Sequence, residues 1–384
     1  MPLLVLLLPR RVEALAGDDA TLALSRILLT GALVASVANI AAGALSDRSM
    51  RRNGSRRVSL VFGIMATMAS YVLLAAADGL PLLVAAVICF QIGLNATLSP
   101  LSALLTDYFR DDEKGRIAGL ANAALPLSSA AVAPLAWLFP SDGSGGFLFV
   151  AVIAAACCAP LVVLWPFGRA AGRSAEVSGG PHPVALRGSR RNFALAWLAR
   201  FLVQLGATFV FGYLYVFVAG EFGAAEHTCA GSTGERVGVL TLAATVLAML
   251  AALASGRISD RLGRRRLPLA LAALAAALAL AVLGSASSWF AFIAAYALFN
   301  AALAGFLAVD TALVAEMLAA DPRRAALLGI MNLTNTLPAV LAPGIALLVL
   351  DRAPPVFALA AAFTACAFGC AVAALAVLFM RNMR

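Results

Sequence analysis

The sequence predicts an all-α integral membrane protein built from two copies of one domain-sized helical unit, and three observations carry that prediction. Hydrophobic residues make up 62% of the 384-residue chain and charged residues 12%, with a mean hydropathy of +0.95; no soluble domain of this length keeps such a composition from aggregating. Apolar runs near the ~20 residues that span a bilayer recur along most of the chain. A short basic stretch occurs twice: Gly43-Ala44-Leu45-Ser46-Asp47-Arg48-Ser49-Met50-Arg51-Arg52, and Ser255 to Arg266, which reads Ser-Gly-Arg-Ile-Ser-Asp-Arg-Leu-Gly-Arg-Arg-Arg. Gly43 and Gly256 are 213 residues apart, a little over half the chain, and a period that long marks a duplicated domain rather than a solenoid repeat.

In chain order, Met1 to Leu8 is too short to cross a membrane and reads as the tail of a helix. It lacks the basic region and small-residue cleavage site of a signal peptide. Full runs follow at about 20–45, 57–77, 80–107, 115–139 and 146–167. A Gly/Ser/Pro/Arg-rich stretch at 168–192 cannot bury a core and is expected to be a flexible linker between an N-terminal bundle, 1–167, and a C-terminal bundle, 193–384. Six more runs lie at about 193–220, 234–257, 266–285, 288–318, 324–350 and 355–380, so the expectation is eleven full spans and a fragment.

Placing both basic stretches in the cytoplasm puts 22 of the 28 Lys and Arg residues in cytoplasmic segments. A multi-pass protein of the plasma (inner) membrane is expected, with both termini cytoplasmic once the first helix is complete. The net charge of +9 is dispersed over short loops instead of forming one face, which argues against nucleic acid as a partner. Cys89, Cys157, Cys158, Cys366 and Cys370 lie inside apolar runs and only Cys229 in a loop, so neither a disulfide framework nor a metal site is expected.

The two basic stretches resemble the signature of the major facilitator superfamily between helices two and three of each half, Gly-x-Leu-Ala/Ser-Asp-Arg-x-Gly-Arg-Arg/Lys. The second copy departs from it only at Ile258. In the first, Met50 replaces the second glycine, which shifts the expected tight turn toward Gly54. The resemblance implies the twelve-helix fold of that family: two pseudo-symmetric six-helix bundles, each nesting inverted three-helix repeats, with substrate held at the midplane. It also implies a cavity lined by the first and fourth helices of each half, here the N-terminal fragment and the runs at 80–107, 193–220 and 288–318.

The duplication extends further, since Ala103-Leu104-Leu105-Thr106-Asp107 matches Ala312-Leu313-Val314-Ala315-Glu316 at an offset of 209. In the family such acids interlock with the signature charges. The resemblance therefore assigns a gating role to Gly43, Asp47, Arg48, Arg51, Arg52 and Asp107, and to Gly256, Asp260, Arg261, Gly263, Arg264 and Glu316. Ion pairs at helix ends can hold one global state and break in another. The plainer alternative is that these arginines only enforce topology.

Ionisable side chains deep in a span cost about 2.5–3.5 kcal/mol on insertion scales and are usually paired, hydrated or functional. Asp310 lies eight residues, ~12 Å, from the inner end of its run. Arg200 lies at nearly the same depth on another run, and the two are expected partners, either as a substrate or proton site or as a fixed structural pair. Arg200, Gln204 and Thr208 recur at i, i+4 and i+8, as do Gln91, Asn95 and Ser99, each set giving a helix a polar stripe that suits hydroxyl-rich ligands. Interhelical hydrogen bonding, worth ~0.6 kcal/mol per contact, explains such stripes equally well. Asn300, which matches Gln91 at offset 209, is a further candidate. Arg26, near an outer helix end, is expected to snorkel to the headgroups. Asn332 and Asn335 line a pathway or close a helix contact.

No Walker A sequence is present. The reading is a secondary active transporter, not an enzyme, moving a small organic solute, sugar-like by preference, with protons favoured over sodium as the coupling ion. Its expected partners are the solute, the ion and the lipid bilayer; a monomer without cofactors is expected. Arg200 to Gly206 and Ala308 to Leu313 look like sugar-cation symporter relatives. The antiporter signature Gly-Pro-x-x-Gly-Gly is missing at Ala133-Pro134-Leu135-Ala136-Trp137-Leu138. A drug or metabolite exporter is the alternative within the family. A non-transporting scaffold or decayed paralogue, lacking a complete first helix, is the alternative outside it.

Overall fold

A computed structural model describes residues 1–108, 127–140, 144–164, 190–222, 232–262, 265–318 and 324–380. Their regular structure is helical throughout, as hydrocarbon requires of any spanning segment that is not a closed barrel. The α-helices are α1 (Leu8–Ala16), α2 (Ala20–Asn53), α3 (Arg57–Ala76), α4 (Leu80–Tyr108), α5 (Val132–Leu138), α6 (Gly145–Leu164), α7 (Arg190–Phe222), α8 (Thr233–Leu262), α9 (Arg266–Ser285), α10 (Trp289–Leu318), α11 (Arg324–Leu350) and α12 (Pro355–Leu378). A π-helical turn, Leu3–Leu7, leads into α1, and the chain bends at Gly17, whose φ of +53° suits glycine, before α2 begins. Among the described residues ten helical stretches are long and apolar enough to cross a membrane, with 127–138 as a shorter apolar helix.

Two expectations need adjustment. Both basic stretches were read as loops, yet α2 continues to Asn53 and α8 to Leu262, so their Asp-Arg pairs ride on the last turns of helices. Arg51, Arg52 and Arg261 sit in those last turns, where cations complement the negative end of the helix dipole. In α2 the turn falls at Gly54: with φ +63° it closes the helix, its N–H donating to the Met50 carbonyl at 3.0 Å. The run expected at 115–139 is described only from 127, where it is helical to Leu138. The linker expected at 168–192 lies outside the described residues except for Arg190 to Asn192, which already belong to α7.

By packing, the chain divides into two compact units: Met1–Pro9 with Pro126–Pro140 and Pro181–Arg384, and Arg10–Leu125 with Ser141–Gly180. The first unit takes in the chain's start because Leu3–Leu7 pack against α7, and it takes in 126–140 because α5 packs on α8. A Cβ built on Gly238 of α8 comes 3.1 Å from the Ala133 Cα, so those two backbones nearly touch.

Each unit repeats one packing scheme. In the second, α2 and α3 both pack on α4, and α3 packs on α6; in the first, α8 and α9 both pack on α10, and α9 packs on α12. The duplication seen in sequence is thus a duplication of helix contacts. Small residues let these helices approach in a medium that supplies no hydrophobic drive between them. Gly63-x-x-x-Thr67 on α3 crosses Gly93-x-x-x-Thr97 on α4, each threonine hydroxyl donates back to its glycine's carbonyl, and the two hydroxyls stand 3.5 Å apart. A Cβ on Gly63 falls 2.5 Å from the Ala96 carbonyl carbon, and one on Gly93 falls 2.6 Å from the Thr67 nitrogen.

Any side chain at either glycine therefore pushes backbone against backbone. Gly63→Val is expected to lose about 1–3 kcal/mol, read as a lower thermal transition and a smaller monodisperse yield in detergent. Gly344→Ala, where a Cβ meets nothing within 4 Å, serves as the neutral control.

Candidate functional site

The deepest charges in the first unit meet. Arg200 on α7 donates through Nη1 to Asp310 Oδ2 on α10 at 2.9 Å. The Asp310 side chain is 1% exposed and that of Arg200 is 18% exposed, so the carboxylate is sealed while the arginine side chain is partly open. The contact uses one atom from each side: Asp310 Oδ1 and Arg200 Nε are buried without a hydrogen-bond partner. A bidentate pair would have satisfied both carboxylate oxygens. This one keeps a spare acceptor and a spare donor in a low-dielectric interior, where each is costly to leave unmet.

One turn along α7, Gln204 donates from Nε2 to Asn335 Oδ1 on α11 at 2.6 Å, and Asn335 Nδ2 donates to Asn332 Oδ1 at 3.2 Å. Asn332 and Asn335 are exposed on this unit. On the other side of Arg200, the Trp197 indole donates to the Ile330 carbonyl of α11 at 2.9 Å and stacks on Phe201 with centroids 5.3 Å apart. An ion pair, an amide chain and an aromatic platform thus share a few turns of α7, held by α10 and α11. Thr208 turns its hydroxyl back to the Gln204 carbonyl. Asn300 lies ten residues, ~15 Å, up α10 from Asp310 and donates to the Tyr296 carbonyl, so it is not brought to the pair.

The other polar stripe has a different use. Asn95 is buried on α4 and accepts from Asn39 Nδ2 on α2 at 3.1 Å, while its own amide donates to the Gln91 carbonyl. Gln91 lies against Gly31 and Ser99 against Gly43, so the whole stripe faces α2. Its geometry is that of an interhelical seam. Asn39 is the partner that sequence reading missed; an exposed asparagine in an apolar run opposite a polar stripe is the signal that marks it.

At the helix ends, Asp47 pairs with Arg56 at 2.8 Å, and the same Nη1 reaches Ser46 Oγ at 2.8 Å. Glu316 pairs with Arg265 at 2.5 Å. Arg265 is the last residue of the second signature, whereas Arg56 lies beyond the first, and each is the residue immediately before a third helix, at the N-cap of α3 and of α9. Arg48, Arg51, Arg52 and Arg261 are exposed, and Gly43 is half-buried. The side chains of Asp107, Gly256, Asp260, Gly263 and Arg264 lie outside the described residues.

The family model of the Major Facilitator Superfamily matches residues 3–231 and again 196–384, once over each copy of the repeat. The chain belongs to the Major Facilitator Superfamily. Its fold is similar to crystal structures of a bacterial homolog to the human lysosomal transporter Spinster. The inward-facing, occupied form aligns with a TM-score of 0.66 at 14% identity over 98% of this chain and 94% of that one. The inward-facing, unoccupied form gives 0.63 at 15% identity over 97% and 92%. At such identity the likeness speaks for the fold. No curated protein matches the chain.

The Arg200–Asp310 geometry makes the two charges interdependent. Arg200→Gln or Asp310→Asn alone strands the other charge and is expected to cost about 3–5 kcal/mol, whereas the double substitution costs less than either single one. Thermal unfolding of the three purified variants measures this, and additive losses would show the pair to be uncoupled. The half-exposed Arg265–Glu316 pair is worth at most ~1 kcal/mol. Arg265→Ala should therefore leave the unfolding temperature nearly unchanged, and any larger effect should appear in transport rate.

Proposed function

We propose that this major facilitator protein moves a small, hydroxyl-rich organic solute, sugar-like in its hydrogen bonding, by proton-coupled alternating access, with Arg200 and Asp310 as the coupling pair. The observation that carries the reading is the half-made contact: a sealed carboxylate with one free oxygen, bound to a partly open arginine side chain that keeps one buried, unpaired N–H. A solute hydroxyl at Arg200 competes for the guanidinium. Once Arg200 is drawn away, Asp310 is left uncompensated in the interior, and taking a proton removes the charge that burial penalises. Loss of the solute reverses the sequence. Proton and solute are thereby linked through one side chain.

Gln204, Asn332 and Asn335 supply amide donors and acceptors within reach of hydroxyl groups near the pair, and the Trp197–Phe201 stack supplies an apolar face of the kind that sugar rings pack on. The bundles 1–167 and 193–384, joined through 168–192, are the two bodies of the cycle. The Asp47–Arg56 and Arg265–Glu316 pairs are helix-end latches made in one state and broken in another. The distribution of basic residues supports an inner-membrane protein, with cytoplasmic termini once the first helix is complete.

Proteoliposomes with imposed proton or sodium gradients, screened against sugars and amphiphilic drugs, test the reading. A proton gradient, and not a sodium gradient, is expected to drive accumulation of a sugar-like solute. Asp310→Asn combined with Arg200→Gln is expected to fold and to exchange solute across the membrane, yet not to accumulate it. Accumulation by a well-folded Asp310→Asn variant would remove the proton role, and proton-driven expulsion of drugs would favour an exporter.

A further inference from the structure

Away from the coupling pair, the second unit carries a cavity of about 920 Å³ between α2 and α3, with α4 packed against both. Val37, Leu45 and Phe62 line it and are more than half exposed; Ala41, Ile88 and Ile92 complete its apolar wall. One end is different. Arg48, Ser49, Arg52 and Asn53, the last turns of α2, line the same cavity there. From Leu33 to Arg48 the groove runs fifteen residues along α2, ~22 Å, against the ~15 Å of hydrocarbon in one leaflet.

We infer that this groove is a seat for one anionic phospholipid of the leaflet bordering the Asp-Arg stretch, its phosphate on Arg48 and Arg52 and an acyl chain along Val37, Ala41, Leu45 and Phe62. Charge complementarity selects the occupant. Arg48 and Arg52 stand one turn apart on the same face, and neither has an ion-pair partner among the described residues. Asp47, the acid next to Arg48 in sequence, is engaged by Arg56. Two full positive charges outweigh the roughly half negative charge of the α2 terminus. Asn53 adds an amide donor suited to phosphate oxygens, and the Ser49 hydroxyl, whose proton goes to the Ser55 carbonyl, offers only an acceptor to a glycerol headgroup. The apolar wall excludes a soluble anion as the natural occupant, because an ion alone leaves that surface uncovered.

Native mass spectrometry of the full chain, released from detergent after incubation with equimolar phosphatidylglycerol and phosphatidylcholine of identical acyl chains, tests the seat. One phosphatidylglycerol is expected to be retained in preference to phosphatidylcholine. Arg48→Gln with Arg52→Gln should lower its affinity about thirtyfold, and Arg48→Lys with Arg52→Lys should restore most of it. Ala41→Trp with Ile92→Trp, which fills the groove and leaves the arginines, should abolish retention while the circular dichroism and thermal transition stay native. Equal retention of both lipids, or retention unchanged by the glutamine pair, overturns the inference. So does retention that survives the tryptophan pair, which reduces the effect to headgroup attraction, or a lipid-free dimer that the tryptophan pair abolishes, which makes the groove an interface between copies of this chain.

Discussion

Hydrocarbon offers no hydrogen bonds, and the disposition of polar atoms in this protein follows from that constraint. Serine and threonine hydroxyls inside the spans turn back to carbonyls of their own helices, as in Ser25 to Thr21, Thr67 to Gly63 and Thr245 to Thr241. Amides that cannot do so pair across helices, as Asn39 does with Asn95. Such satisfied groups hold helices together and have little reason to exchange partners. Deep in the spans, Asp310 Oδ1 and Arg200 Nε depart from the pattern. Their departure marks the place where a proton or a solute hydroxyl would lower the energy of the interior instead of disturbing it.

Depth along a helix is legible in sequence because each residue advances ~1.5 Å. That is why Arg200 and Asp310 could be matched by counting from the ends of their runs, and why Gly54 could be expected to take the turn that Met50 cannot. Azimuth is less legible. Gln91, Asn95 and Ser99 plainly share one face of α4, but whether that face meets a cavity or a neighbouring helix depends on packing that a single stripe does not encode. Asn39 answered it, from a helix whose own polar residue looked isolated. Helix ends were obscured differently, because apolar runs stop where the bilayer stops, whereas α2 and α8 carry their charged turns beyond it.

Arg56 and Arg265 show how a repeat can hide its own equivalences. Gly43 and Gly256 differ by 213 positions, but α3 and α9 begin at Arg57 and Arg266, a difference of 209, because the first copy carries four more residues around Gly54. At the motif's offset Arg56 aligns with Leu269; at the helix offset it aligns with Arg265. Structure makes the second alignment the meaningful one, since both arginines occupy the same N-cap position and both grip an acid. Arg56 holds Asp47, on the second helix of its repeat, and Arg265 holds Glu316, on the fourth.

Symmetry is broken where the proposed chemistry lies. At offset 209 Asp310 corresponds to Leu101, and each stands 21 residues after the start of its helix, α10 and α4. The copies therefore share a scaffold position that one fills with leucine and the other with a buried carboxylate. A leucine there needs no partner, while a carboxylate needs Arg200, whose neighbours along α7, Trp197 and Gln204, bond to α11. The second unit spends the polar stripe of its α4 on the α2–α4 seam. Duplication thus supplies two frames with the same helix contacts. Only one of them carries a buried carboxylate at that position.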